Sequence, residues 1–188
     1  AYFALRCLVD GRGDEPGCVI IKHGTPTGAA QHASAKEAFL RAKSGDPLSA
    51  FGGIVAMSGT VDEDTAMAMG EMFLEVIVAE HFSDDAKAVF AKKKNLRLLE
   101  LPTLRSASLP AVQTRSVAGG LLVQQHDRAF ANIHDAKVAT KRAPTDAEWE
   151  ALDLAFRMST AVRSNAITFA NAEKLLSAGG GQTSRVDA

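Results

Sequence analysis

Short β-branched runs, each too brief to make a helix, recur along this chain, separated by stretches that carry helix-start signals. The clearest run is Glu75-Val76-Ile77-Val78-Ala79; others lie at residues 18–22, 53–57, 95–99, 117–125 and 165–170. Between them, Ser34-Ala35-Lys36-Glu37 and Thr145-Asp146-Ala147-Glu148 have capping-box spacing, in which the hydroxyl and the carboxylate satisfy free amides at a helix start. The first of these helices is expected to stop near Lys43, before Ser44-Gly45-Asp46-Pro47. Another opens at Thr60-Val61-Asp62-Glu63 and runs through Phe73, its Met67, Met69 and Met72 reading as core; a further one covers 83–92. The chain begins in an apolar helical pattern (Tyr2, Phe3, Leu5, Leu8, Val9). In the helix after Thr145, Trp149, Leu152, Phe156, Ser159 and Val162 fall on one face. Residues 101–110 read as a loop, and Gly119-Gly120 as a bulge or close backbone approach inside the run at 117–125. Strands alternating with helices predict an α/β fold, a layered mixed sheet with flanking helices.

Hydrophobic residues are 46% of the 188, enough for a full core. With 21 Lys and Arg against 22 Asp and Glu, the net charge is −1. No whole-protein field draws nucleic acid or an anionic membrane, so an anionic ligand would have to be held by local groups. No apolar run approaches the ~20 residues that span a bilayer. Cys7 and Cys18 form no CxxC motif and read as buried thiols of a cytoplasmic protein. Both ends look cut: the chain opens without Met, and its last residues read as a turn entering a helix.

Five histidines show no HExxH, and there is no PCxxC, P-loop, dinucleotide fingerprint or GxSxG. Four loops at strand ends remain. Lys22-His23-Gly24-Thr25-Pro26-Thr27-Gly28 follows a buried run with two titratable side chains; the plain reading is an exposed lysine and a loop histidine, the functional one an acid–base pair. Residues 46–53, Asp-Pro-Leu-Ser-Ala-Phe-Gly-Gly, are either a tight turn over a core phenylalanine or a close backbone approach to a ligand. Arg163-Ser164-Asn165-Ala166 is a helix end or an amide presented to a ligand, and residues 179–185 a glycine turn or an anion cradle.

In this order the loops, together with the segments around Glu75, Lys92, Val117 and Arg142, resemble the formyltransferase part of the bifunctional purine biosynthesis enzymes, over nearly the whole chain. These pair 5-aminoimidazole-4-carboxamide ribonucleotide (AICAR) formyltransferase with IMP cyclohydrolase. The resemblance implies a cytidine-deaminase-like arrangement without zinc and no metal requirement. It implies formyl transfer from 10-formyltetrahydrofolate, the co-substrate, to the 5-amino group of AICAR. Lys22, His23 and Asn165 match the catalytic positions. Thr25, Pro26, Gly28, Ser49, Phe51, Gly52, Gly53, Ser164, Gly181, Gln182 and Arg185 match substrate-binding loops. It further implies a homodimer with the site at the interface, and that the cyclohydrolase domain and the second transformylase half are absent, leaving residues 1–188 a partial domain. This chain departs from the family at Thr25, Thr27, Arg163, Ser177 and Thr183. The alternative is a non-catalytic fragment that self-associates or binds nucleotide.

Overall fold

The computed structural model describes residues 1–106, 108–126 and 132–188. Helix α1 (Tyr2–Val9) leads into a hairpin of β1 (Gly17–Lys22) and β2 (Thr25–Gln31). Then come α2 (Ala35–Lys43), a single turn α3 (Pro47–Ala50), β3 (Gly53–Val61), α4 (Glu63–Gly70), β4 (Leu74–Phe82), α5 (Asp84–Phe90) and β5 (Arg97–Glu100). A separate hairpin, β6 (Val112–Val117) and β7 (Gly120–Gln125), precedes α6 (Asp146–Thr160) and a last hairpin, β8 (Ile167–Ala170) and β9 (Leu175–Gly179).

The main sheet runs β2-β1-β3-β4-β5. Its first three strands are antiparallel neighbours, and β3, β4 and β5 are parallel. The side-chain period of two divides β1 between two cores. Cys18 and Ile20 pack with Phe39, Met57, Met69 and Ile77 on the face covered by α2, α4 and α5. Val19 and Ile21 pack with Leu5, Leu8, Leu154 and Met158 on the face covered by α1 and α6. The predicted layered α/β arrangement is therefore observed, with helices on both faces of a mixed sheet.

Local chemistry explains the helix starts. Ser34, Asp62, Ser83 and Thr145 each accept a bond from the N–H three residues on, and at Thr145 the Glu148 carboxylate returns the bond, completing the box. The α4 helix starts at Asp62, since Thr60 and Val61 are the last residues of β3 and pair with His81 and Phe82. Parallel pairing likewise carries β4 on to Phe82. The Gly119-Gly120 bulge is instead a hairpin turn, with Gly119 at φ +81°, and it splits the expected strand at 117–125 into the end of β6 and β7. On α6 the docked residues are Leu154 and Met158, while Leu152 and Phe156 face outward at 43% and 41% exposure; Val162, also buried, lies just past the helix end. That rotation buries Asp153, which Arg12 and Arg157 both pair. The strand expected at 165–170 is β8, Ile167–Ala170, and β9 after it was not expected; Lys174, just before β9, bridges to Ala30 on the edge strand β2. The expected loop at 101–110 includes Ala107, outside the described residues; within it Leu104 is fully buried.

Candidate active site

The expected loop after Lys22 is a β-hairpin. Lys22 pairs with Thr25, and His23 and Gly24 alone make the turn, with φ of +51° and +83°. Positive φ at both central positions is the pattern of the tight turns that match strand twist. Gly24 meets this without strain, and His23 is carried out into solvent at the tip. Pro26 has no N–H to give a ladder, which an edge strand tolerates. Thr27 is an extra residue in β2, since Ile20 pairs with Gly28 and Ile21 with Pro26; its hydroxyl donates to the Ile20 carbonyl at 3.3 Å.

The second predicted loop comes to the same place. Asp46 caps α3, its Oδ1 accepting the Ser49 N–H at 3.0 Å, with Pro47 at the first helical position. The hydroxyl and N–H of Ser49 hold the Asp46 carboxyl below the usual carboxylate range, and the Lys22 charge adds to the same effect. At the far end of α3 the Phe51 carbonyl accepts from Lys22 Nζ at 2.6 Å. Gly52, at φ +72°, donates to the Phe73 carbonyl at 2.9 Å. Phe51 is no core residue: it is 57% exposed and lies against Phe73 at a centroid distance of 5.6 Å.

The other two loops pack on each other. Asn165 Nδ2 donates to the Gln182 carbonyl at 3.1 Å, and the Gly181 N–H donates to the Arg163 carbonyl at 3.2 Å. A Cβ on Gly180 would lie 2.2 Å from Val162 Cγ1, so the terminal turn is pressed against the end of α6. The Arg163 guanidinium lies beside the hairpin tip, 3.7 Å from where a Gly24 Cβ would be.

These elements enclose a cleft of about 320 Å³. Of the sequence-derived candidates, Lys22, His23, Thr25, Pro26, Ser49 and Gln182 line it. Phe51, Gly52, Ser164, Asn165, Gly181 and Arg185 do not; Asn165 stands behind the wall and ties Gln182. Gly28 and Gly53 are packing glycines: a Cβ would lie 2.0 Å from the Ala42 carbonyl oxygen on α2 in one case and 2.8 Å from that of Ala50 in the other. At these two positions the structure shows close approach of backbone to backbone. Thr27, Asp46, Ser177, Ala178 and Gly180 also line the cleft. Asp46 was legible as the residue before Pro47, a helix-cap signal, whereas Ser177 and Ala178 belong to the strand that was not expected.

Among the described residues no group of three or more His, Cys, Asp or Glu is gathered for a metal, and no helix is long and apolar enough to cross a membrane. The cleft thus presents an ammonium, an imidazole and hydroxyl-bearing walls, a set suited to proton transfer and to binding a polar ligand, with the Asp46 carboxylate engaged beside them as the cap of α3.

The sequence matches the family model of the AICARFT/IMPCHase bienzyme over residues 1–188. It is 48% identical over 181 residues to the bifunctional purine biosynthesis protein PurH of Anaeromyxobacter sp. (strain K), covering 93% of this chain and 34% of that protein. Against the PurH proteins of Sinorhizobium fredii and Rhodospirillum rubrum the identities are 45% over 172 residues and 44% over 173, each covering 92% of this chain and 32% and 33% of the relative. The chain spans about a third of the length of the curated relatives it matches. With its whole length matched, this chain belongs to the AICARFT/IMPCHase bienzyme family.

Proposed function

We propose that this chain carries the Lys–His centre of an AICAR formyltransferase acting in purine biosynthesis. The observation that carries the reading is the cleft itself: in a chain of this family, Lys22 and His23 share one cavity with Ser49 and Gln182 from distant loops. Its volume of about 320 Å³ is at the small end for ligand sites, so one nucleotide-sized ligand occupies it. Leu48, Phe51 and Phe73, exposed at 89%, 57% and 47%, supply apolar surface for the ring system of 10-formyltetrahydrofolate.

The 5-amino nitrogen attacks the formyl carbon and His23 accepts a proton from it. The formyl oxygen gains negative charge in the tetrahedral intermediate, and the Lys22 ammonium stabilises it. The bond from the formyl carbon to N10 of the folate then breaks, N10 takes up a proton, and formylated AICAR and tetrahydrofolate leave. Asn165 acts by holding the Gln182 wall rather than by touching the amine. Holding two substrates in register supplies a large part of the rate.

The homodimer belongs to this proposal. Every residue of β6 and β7 is exposed on both faces, Leu121, Leu122 and Val123 at 59–64%, and such a two-stranded ribbon is marginal alone in water. Buried Cys7 and Cys18, with burial pushing the Cys18 thiol far up, fit a cytoplasmic protein. The test is formation of tetrahydrofolate from 10-formyltetrahydrofolate in the presence of AICAR, with the protein in its natural polypeptide. The reading expects turnover, and His23→Ala is expected to lower it by about 10²-fold or more. Normal turnover in His23→Ala sinks it. Ligand binding or self-association without any turnover would support the non-catalytic alternative.

A further inference from the structure

We propose that Asp46 is a positioning residue of this site, acting through α3 to aim the Lys22 ammonium into the cleft. The inference rests on the formyltransferase reading for the role of Lys22, but its structural part stands alone.

Helix α3 is too short to be stable by itself. Four residues make one turn, and isolated turns do not hold themselves together. Three bonds at its ends fix it. At the start, the Asp46 carboxylate accepts the Ser49 N–H at 3.0 Å and the Asp46 carbonyl accepts from Ala50 at 3.0 Å. At the end, the Phe51 carbonyl receives the Lys22 ammonium at 2.6 Å. Ala50, between them, is buried, which anchors the turn to the core. Where the Phe51 carbonyl sits therefore depends on the cap five residues earlier, and the Lys22 side chain is directed by that carbonyl. Lysine is a flexible stem with a mobile charge, so an external acceptor is what gives it one direction. The carboxylate also faces the cleft, beside Lys22 and Ser49. Its low proton affinity, set chiefly by the Ser49 bonds, keeps it an acceptor.

A crossed pair of substitutions separates the cap from the charge. Asp46→Asn keeps the cap, since Asn and Asp serve equally there, and removes the charge. Asp46→Glu keeps the charge on a side chain one methylene too long. Asp46→Ala removes both. In the natural polypeptide, Asp46→Ala and Asp46→Glu are expected to lower kcat about tenfold or more with KM within about twofold, because Lys22 acts on charge that develops in the transition state. Asp46→Asn is expected to restore kcat to nearly the parent value. The second readout is the Cε resonance of 13C-labelled Lys22: distinct in the parent and in Asp46→Asn, and moved to the position of a free lysine in the other two. This readout holds whether or not formyl transfer is found, so absence of transfer in the parent defeats the functional reading alone. An unchanged kcat and resonance in Asp46→Ala overturns the inference. So does the reverse order, Glu active and Asn impaired, and so does a rise in KM at constant kcat.

Discussion

Lys22 donates its ammonium proton to the main-chain carbonyl of Phe51 over 2.6 Å, joining the end of β1 to the end of α3. A cation held by a neutral carbonyl keeps its charge for a ligand. The same geometry makes the lysine a reporter on a segment 29 residues away.

Replacing Lys22 by Met keeps the stem and removes the charge. Because the bond is exposed, the melting temperature is expected to move little. Formyl transfer, measured as kcat, is expected to drop by about 10²-fold or more, the loss typical of one oxyanion donor.

Gly28→Ala places a Cβ 2.0 Å from the Ala42 carbonyl oxygen, where the neighbour is helix backbone and cannot rotate away. Urea denaturation is expected to show a loss of about 1–3 kcal/mol or more. Gly120→Ala is the control: nothing lies within 4 Å of that Cβ, and the change is expected to stay within about 0.5 kcal/mol.

Asp153 is buried between Arg12 and Arg157, the latter at 2.8 Å, and so ties α6 to the segment after α1. Asp153→Ala leaves the Arg157 guanidinium without its carboxylate beside Arg12, which keeps only the more exposed Glu150 as counter-charge, at 3.7 Å. The expected cost is about 3–5 kcal/mol in chemical denaturation.

The Arg142 guanidinium, with help from the Thr145 N–H and hydroxyl, depresses the Glu148 carboxyl from 4.5 to about 2. A depressed folded value means that the stabilisation is complete above the unfolded pKa of 4.5 and is lost as the pH falls towards 2. The urea midpoint of Glu148→Gln is therefore expected to lie below that of the parent at about pH 6, to close on it as the pH falls below 4.5, and to meet it only near or below about pH 2. A constant gap between the two would deny the cap its charge.

What the sequence disclosed follows from which forces are local. The caps at Ser34, Asp62, Ser83 and Thr145 lie within four residues of what they bond, and the runs around Ile20, Val55 and Ile77 carry their own period. The errors came where distant partners decide. Thr60 and Val61 were taken from a helix by pairing with His81 and Phe82. The α6 stripe was chosen by Arg12, more than a hundred residues away. The strand from Leu175 is held by a hairpin partner and the edge of β2. At the site, Lys22, His23 and Ser49 were legible from strand-end loops. The packing role of Gly28 and the place of Asn165 behind Gln182 required α2 and the terminal turn to be in position.

The extra residue in β2 has a bearing on what the hairpin can offer. An ordinary strand shows a ligand one side chain in two, the alternate ones pointing away. Thr25, Pro26 and Thr27 nevertheless all line the cleft in succession, because the irregularity at Thr27 breaks the alternation and coils the strand. A hairpin of the same length without it would set a picket fence beside His23; this one sets a continuous wall.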